Sequence, residues 1–184
     1  SRAAAYAALL RVHTAAHVES VGAASRAARG EPDNRAATMP HGDGAIYYHA
    51  HTDDAARMAA GCVLRATDAV LSREVRSAFA LVRPPGHHAG ESGLLEGAPS
   101  CGFCIFNNVA VGALHALARY PARGRRVAIV DIDVHHGNGT QDVFERRGDP
   151  DSNFFCSVHL HDGALYPPSG GEDAAPRHVM NLPP

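Results

Sequence analysis

Apolar positions recur at spacings of three and four from Ala3 to Val21, where Tyr6, Leu9, Leu10, His13 and His17 share one stripe. This predicts an amphipathic helix that begins abruptly at the start of the chain. A second helical stripe starts at Thr52, read as an N-cap with Asp53 and Asp54 in the first turn, and runs to about Leu71. Between them, Gly30 to Gly44 carries Pro32, Asn34, Pro40 and two further glycines, the composition of a loop. Three short runs then read as strands: Ala78 to Val82, Arg126 to Val134 and Phe154 to Leu160. Helical patterns separate them, at about Asn108 to Arg119 and Thr140 to Arg146. Strands alternating with helices imply βαβ units, hence an α/β fold with an open parallel sheet covered by helices on both faces in three layers. The near-continuous apolar run Val127 to Val130 suits a central strand. From Tyr166 to Pro184 five prolines and two glycines predict irregular chain. Three strands are few for an independent domain of this class, so the chain reads as a piece, incomplete at both ends.

Composition narrows the function classes. Seventeen Lys+Arg against 19 Asp+Glu give a net charge of -2 over 184 residues. With basic residues scattered rather than gathered in a stripe, direct nucleic-acid binding is not expected. No apolar run approaches the ~18 residues of a membrane-spanning helix, and no secretory-signal core opens the chain. Cys62, Cys101, Cys104 and Cys156 are too few for a disulfide framework and suit a reducing compartment. Thirteen histidines are many for this length, and two adjacent pairs, His87-His88 and His135-His136, stand beside glycine.

The most informative stretch is Val130-Asp-Ile-Asp-Val-His-His-Gly-Asn-Gly139. Residues two apart on a strand share a face, so Asp131, Asp133 and His135 form one polar column at the carboxyl end of an aliphatic strand. That end of an open parallel sheet is where ligands bind. Carboxylate oxygen and imidazole nitrogen together suit Zn²⁺ or Fe²⁺. The alternative is a turn with adjacent acids, which leaves ionisable groups on a buried strand uncompensated. Arg83-Pro-Pro-Gly-His-His-Ala89 also follows a predicted strand, placing two imidazoles where general acid and base groups could face that column. Taken alone, a histidine pair is equally a solvated loop. Each ring needs an orienting partner, and Asp131 and Asn138 are the candidates. Cys101-Gly-Phe-Cys104 spells C-x-x-C, but without a thioredoxin-like context or a second cysteine pair at zinc spacing. Asn107-Asn108 reads as a helix cap. His49, His51, His159 and His161 read as structural or exposed, and His13, His17, His115 and His178 as surface or core fillers.

These motifs resemble those of the zinc-dependent histone deacetylase family, which has the arginase/deacetylase fold. The likeness is carried by Phe79-Ala-Leu-Val-Arg-Pro-Pro-Gly-His-His-Ala89, Cys101 to Val111, Val130 to Phe144, Ser157 to His161 and Tyr166-Pro-Pro-Ser-Gly170, and covers most of residues 75 to 184. It implies that residues 1–184 are the N-terminal and central part of a deacetylase catalytic domain. It further implies Asp133 and His135 as two of three zinc ligands, with His87 and His88 facing the water above the ion. Asp131 would then partner His87, and Asn138 would partner His88. Asn rather than Asp at 138 resembles class II members. Gly102, Phe103 and Tyr166 match the acyl-lysine tunnel. Asp131, Asp133, His135, Ser157 and Val158 match an inner monovalent-cation site, filled by K⁺.

The implied activity is hydrolysis of acetyl-lysine in histone tails or other proteins, with chromatin regulation and transcription repression as its context, corepressor proteins as partners, and the nucleus or cytoplasm as its place. Acetylpolyamine hydrolysis uses the same chemistry, and a catalytically dead acyl-lysine-binding scaffold is the non-enzymatic alternative. Two departures stand out. The family's third zinc ligand, an Asp, and its oxyanion-stabilising Tyr (His in some class II members) have no counterpart before Pro184, so the 184 residues alone are expected to be inactive. The stretch Gly90 to Ser100 is longer than the family pattern and is expected to reshape the pocket rim.

Overall fold

A computed structural model describes residues 3–30, 35–36, 47–171 and 177–183. The N-terminal stripe makes two helices rather than one, α1 (Tyr6–Leu9) and α2 (Ala15–Ala27). Thr14 causes the break. Its backbone is extended and its hydroxyl accepts a hydrogen bond from His17 N, which makes it the N-cap of a new helix. Within the predicted Gly30 to Gly44 loop, β1 (Arg35–Ala36) pairs antiparallel with β2 (Tyr48–His49); the rest of that loop after Gly30 lies outside the described residues. Helix α3 (Thr52–Leu71) and helix α4 (Asn108–Arg119) keep their predicted bounds. The cap position of α3 is His51, however, and the Thr52 hydroxyl accepts from His49 N instead.

The sheet contains β3 (Val127–Asp131), β4 (Asn153–Val158) and β5 (Val179–Leu182), all parallel and in that order. Helix α5 (Asn138–Arg147) crosses from β3 to β4. In register, Ile129 lies beside Phe155 and Phe155 beside Val179; two positions later Asp131 lies beside Ser157 and Ser157 beside Asn181. Several expectations fail here. The strand expected over Arg126 to Val134 ends at Asp131, and among the described strands it lies at the edge, with β4 in the centre. Residues 78–82 form no strand: Phe79 and Leu81 are each 89% exposed. A strand exists only when a neighbour accepts its backbone hydrogen bonds, and no described strand lies alongside. Conversely, Val179–Leu182 in the predicted irregular tail pairs with β4, because tertiary pairing overrides the flanking prolines.

One face of the sheet, with Ile129, Phe155 and Val179, packs into a single core with Ala110 and Val111 of α4, Val143 and Phe144 of α5, and Val18 and Val21 of α2. Helices α3 and α4 approach closely at Gly112, where a Cβ would lie 2.7 Å from Val63 Cγ1. Val130 and Met180, in register on the other face, are exposed. No described helix is long and apolar enough to cross a membrane. The carboxyl end of β3, the turn at residues 83–90 and the start of α5 meet at one place.

Candidate active site

The turn after Arg83 is held against the core at Gly86, where a Cβ would lie 2.6 Å from Asn108 N and from Phe106 O. Only glycine fits that approach. The next two residues put their rings side by side, with the His87 and His88 centroids 3.9 Å apart. His87 Nδ1 lies 2.8 Å from Asp131 Oδ2, with both side chains mostly buried. His88 Nδ1 lies 2.9 Å from Asn138 Oδ1, which also accepts from Gly139 N at 3.0 Å. Because the amide oxygen only accepts, His88 carries its proton on Nδ1 and presents Nε2 as the basic atom. Burial first, and the neighbouring His87 second, push the His88 pKa down to about 4, so the ring is neutral at neutral pH.

The strand expected to reach Val134 stops at Asp131, so Asp133 and His135 follow β3 in non-strand chain and are linked to it by hydrogen bonds. Asp131 Oδ1 accepts from Asp133 N at 3.0 Å, and Asp133 Oδ1 accepts from His135 N at 2.9 Å and sits 2.9 Å from His135 Nδ1. Burial acts to raise the Asp133 carboxyl, but these hydrogen bonds outweigh it and hold the group below its ordinary value. The Asp133 and His135 side chains are 49% and 37% exposed, far more open than the His87–Asp131 pair. A 530 Å³ cleft lined by His87, Asp131 and Asp133 opens beside them. A carboxylate oxygen and an imidazole nitrogen this close together are donors of the kind Zn²⁺ accepts. Among the described residues no group of three or more His, Cys, Asp or Glu is arranged to hold an ion, so the fit extends to two donors. Ser157 is fully buried beside Asp131, its Oγ accepting from Gly137 N and lying 2.9 Å from His159 Nδ1. Val158, at the end of β4, is half-exposed.

Tyr166 stands edge-on to both rings, 4.9 Å from His88 and 6.0 Å from His135. Across from it, Cys101 to Cys104 makes a tight turn with Gly102 at φ +52° and Phe103 at φ +65°. Gly102 packs on the His88 ring so closely that a Cβ would lie 2.3 Å from its Cδ2. Phe103 is 61% exposed. None of the four cysteines forms a disulfide. Cys101 Sγ donates to His88 O and Cys104 Sγ accepts from His88 N, both at 3.5 Å. Burial pushes the Cys104 thiol up to about 12, so it stays protonated and is neither a nucleophile nor a metal ligand at neutral pH.

The long stretch after Ala89 joins the rim. Ser100 O accepts the Tyr166 hydroxyl at 2.7 Å. Leu95 to Ala98 line a 580 Å³ groove with Asn138 and other residues of α5 and with residues 167–171. Asn107 is the cap of α4, accepting from Ala110 N, but it does more: its Nδ2 donates to Ala89 O and to Thr140 Oγ1. Thr140 N donates to His87 O. His13 and His17 are buried polar residues bonded to main-chain groups of the loops around the site. His136, also buried, bonds to Ser169 Oγ and Gln141 Oε1. Their clustering in sequence carries no signal of these partners, since the bonds of His13 span 77 and 94 residues.

The chain is similar to known proteins over most of its length. The chain is 43% identical to histone deacetylase 5 of Arabidopsis thaliana over 164 residues, 88% of this chain and 23% of that protein. It is 42% identical to the polyamine deacetylase HDAC10 of Rattus norvegicus over 146 residues, 76% of this chain and 23% of that one. The crystal structure of the HDA15 HD domain superposes with a TM-score of 0.81 at 35% identity, covering 100% of this chain and 48% of that chain. The chain therefore spans about half of that solved domain and a smaller share of these curated relatives. A model of the histone deacetylase domain matches residues 1–183, and with the α/β architecture and paired histidines above, the chain belongs to the histone deacetylase family, with its arginase/deacetylase fold.

Proposed function

We propose that these residues form part of the active site of a zinc-dependent lysine deacetylase. The observation that carries the reading is the proximity of two imidazoles with separate orienting partners, their centroids 3.9 Å apart, to the Asp133 and His135 donors, the His135 ring lying 5.8 Å from that of His88. Asp133 and His135 would hold the Zn²⁺, which when bound polarises the amide carbonyl and makes water more acidic. Neutral His88, its Nδ1–H fixed on Asn138, takes the proton of the attacking water at Nε2. His87, its Nδ1–H on the Asp131 carboxylate, delivers a proton to the leaving amine from the other ring nitrogen. The apolar walls at Phe103 and Tyr166 receive the lysine stem and exclude water. Asp131, Asp133, His135, Ser157 and Val158 would hold a K⁺, whose charge would offset the carboxylates at the end of β3.

The substrate is acetyl-lysine in a histone tail or another protein. The polyamine deacetylase relative makes acetylated polyamine the second reading. A catalytic zinc normally takes three protein ligands, so the 184 residues alone do not turn over substrate. The test is acetate release by the natural full-length protein that contains this sequence, from an acetyl-lysine peptide and from acetylspermidine. Faster, chelator-sensitive release from the peptide supports the proposal, and preference for acetylspermidine selects the second reading. Release from neither contradicts both and leaves a scaffold.

A further inference from the structure

We propose that His13 and Asn107, which touch none of the reacting groups, are positioning residues that set the His87–His88 turn through its backbone. The functional consequence rests on the deacetylase reading above; the clasp itself rests on geometry.

Both side chains are fully buried. His13 Nδ1 lies 3.0 Å from Gly90 O and 3.3 Å from Glu91 O, while its Nε2 accepts from Asn107 N at 2.9 Å. A carbonyl only accepts and a main-chain N–H only donates, so the ring must be the neutral Nδ1–H tautomer. Burial also holds it neutral, lowering its pKa to about 3. Asn107 continues the grip. Its Nδ2 donates to Ala89 O and Thr140 Oγ1, each at 3.1 Å, and Thr140 N donates to His87 O at 3.0 Å. Thr14 N reaches Glu91 O at 3.0 Å. Thus the carbonyls of His87, Ala89, Gly90 and Glu91 are tied to α5, to the cap of α4 and to the segment entering α2. One turn after His13, His17 Nε2 lies 2.8 Å from Ile105 O, and its ring fills the space where a Gly93 Cβ would stand, 2.5 Å away.

The two catalytic imidazoles sit on a turn rather than on a helix or strand, so their placement depends on what holds that turn. Small displacements of such groups can cost on the order of 100-fold in rate. An apolar residue at 13 would fill the volume but leave Asn107 N without its acceptor and Gly90 O with Gly93 N alone.

The experiment has two arms. In the 184-residue chain, long-range ¹H–¹⁵N spectra should report His13 as the neutral Nδ1–H tautomer, and His13→Leu should shift the ring signals of His87 and His88. In the natural full-length protein, His13→Leu should lower kcat roughly 10- to 100-fold with KM within about twofold, and His13→Gln, which restores an acceptor for Asn107 N, should recover most of the loss. Should His13→Leu fail to fold, Asn107→Asp decides: it keeps the cap acceptor, removes the donor to Ala89 O, and should produce the same kcat-only loss and ring shifts. The opposite tautomer, or folded variants with native His87 and His88 signals and native kcat, would overturn the proposal. If the wild-type protein deacetylates nothing, the spectra still decide the clasp.

Discussion

Three buried histidines should make the fold sensitive to mild acid. His13 falls from 6.5 to about 3, and His88 and His136 from 6.5 to about 4, burial being the main cause in each case. In the unfolded chain all three rings bind protons near pH 6.5; in the folded protein they do not until far lower. Between those limits the unfolded state holds more protons, so stability rises with pH and is lost as pH falls. Each such ring contributes about 1.4 kcal/mol per pH unit, so the limiting slope near pH 5 is about 4 kcal/mol per unit. His13 alone, over its full drop of 3.5 pH units, amounts to about 5 kcal/mol at 1.4 kcal/mol each. That is comparable with the whole stability of an ordinary domain. Urea unfolding of the 184-residue chain followed by circular dichroism from pH 5 to 7.5 measures this, in a range where most carboxylates stay ionised. His13→Gln should remove about a third of the slope. A flat profile, or a slope unchanged in the variant, would refute the assignment of these rings as buried and neutral.

Further tests address the walls of the site and the metal donors. Gly102→Ala combines a positive φ with a Cβ 2.3 Å from the His88 ring, whereas Gly97→Ala, at φ +77°, meets nothing within 4 Å. Backbone strain of about 1–2 kcal/mol is common to both, so thermal unfolding should show Gly102→Ala to be worse by a further ~1–3 kcal/mol; equal losses would mean that Gly102 does not abut His88. Calorimetric titration of the 184-residue chain with zinc should give micromolar or weaker binding that Asp133→Ala and His135→Ala each abolish. Tight binding untouched by both substitutions would place the ion elsewhere.

Features governed by local chemistry were legible from residue order. The α4 bounds follow from an Asn107 cap ahead of an apolar stripe, and the nearness of Asp131, Asp133 and His135 was legible from their spacing, although only Asp131 lies on β3 and hydrogen bonds tie the other two to it. What escaped depends on partners remote in sequence. Residues 78–82 have the composition of a strand, yet strand formation requires a neighbour, and none is described beside them. Thr14 looks like one more position in a helical stripe until its hydroxyl is seen to accept from His17 N. Val179–Leu182 is a short run among prolines that becomes a strand only because β4 offers an edge. The same limit applies within the site: His87 and His88 announce themselves by pairing, while His13 reads as filler because its tautomer and its partners, Gly90 O and Asn107 N, are set by the fold.

The central claim is that His88, oriented by Asn138, is the base of an amide hydrolase. Its most direct test is kcat for acetyl-lysine peptide in the natural full-length protein and its His88→Ala variant, with folding verified by circular dichroism. The account predicts a folded variant whose kcat drops by roughly 100-fold or more while KM stays near the parent value; a folded variant that turns over at the parent rate would contradict it.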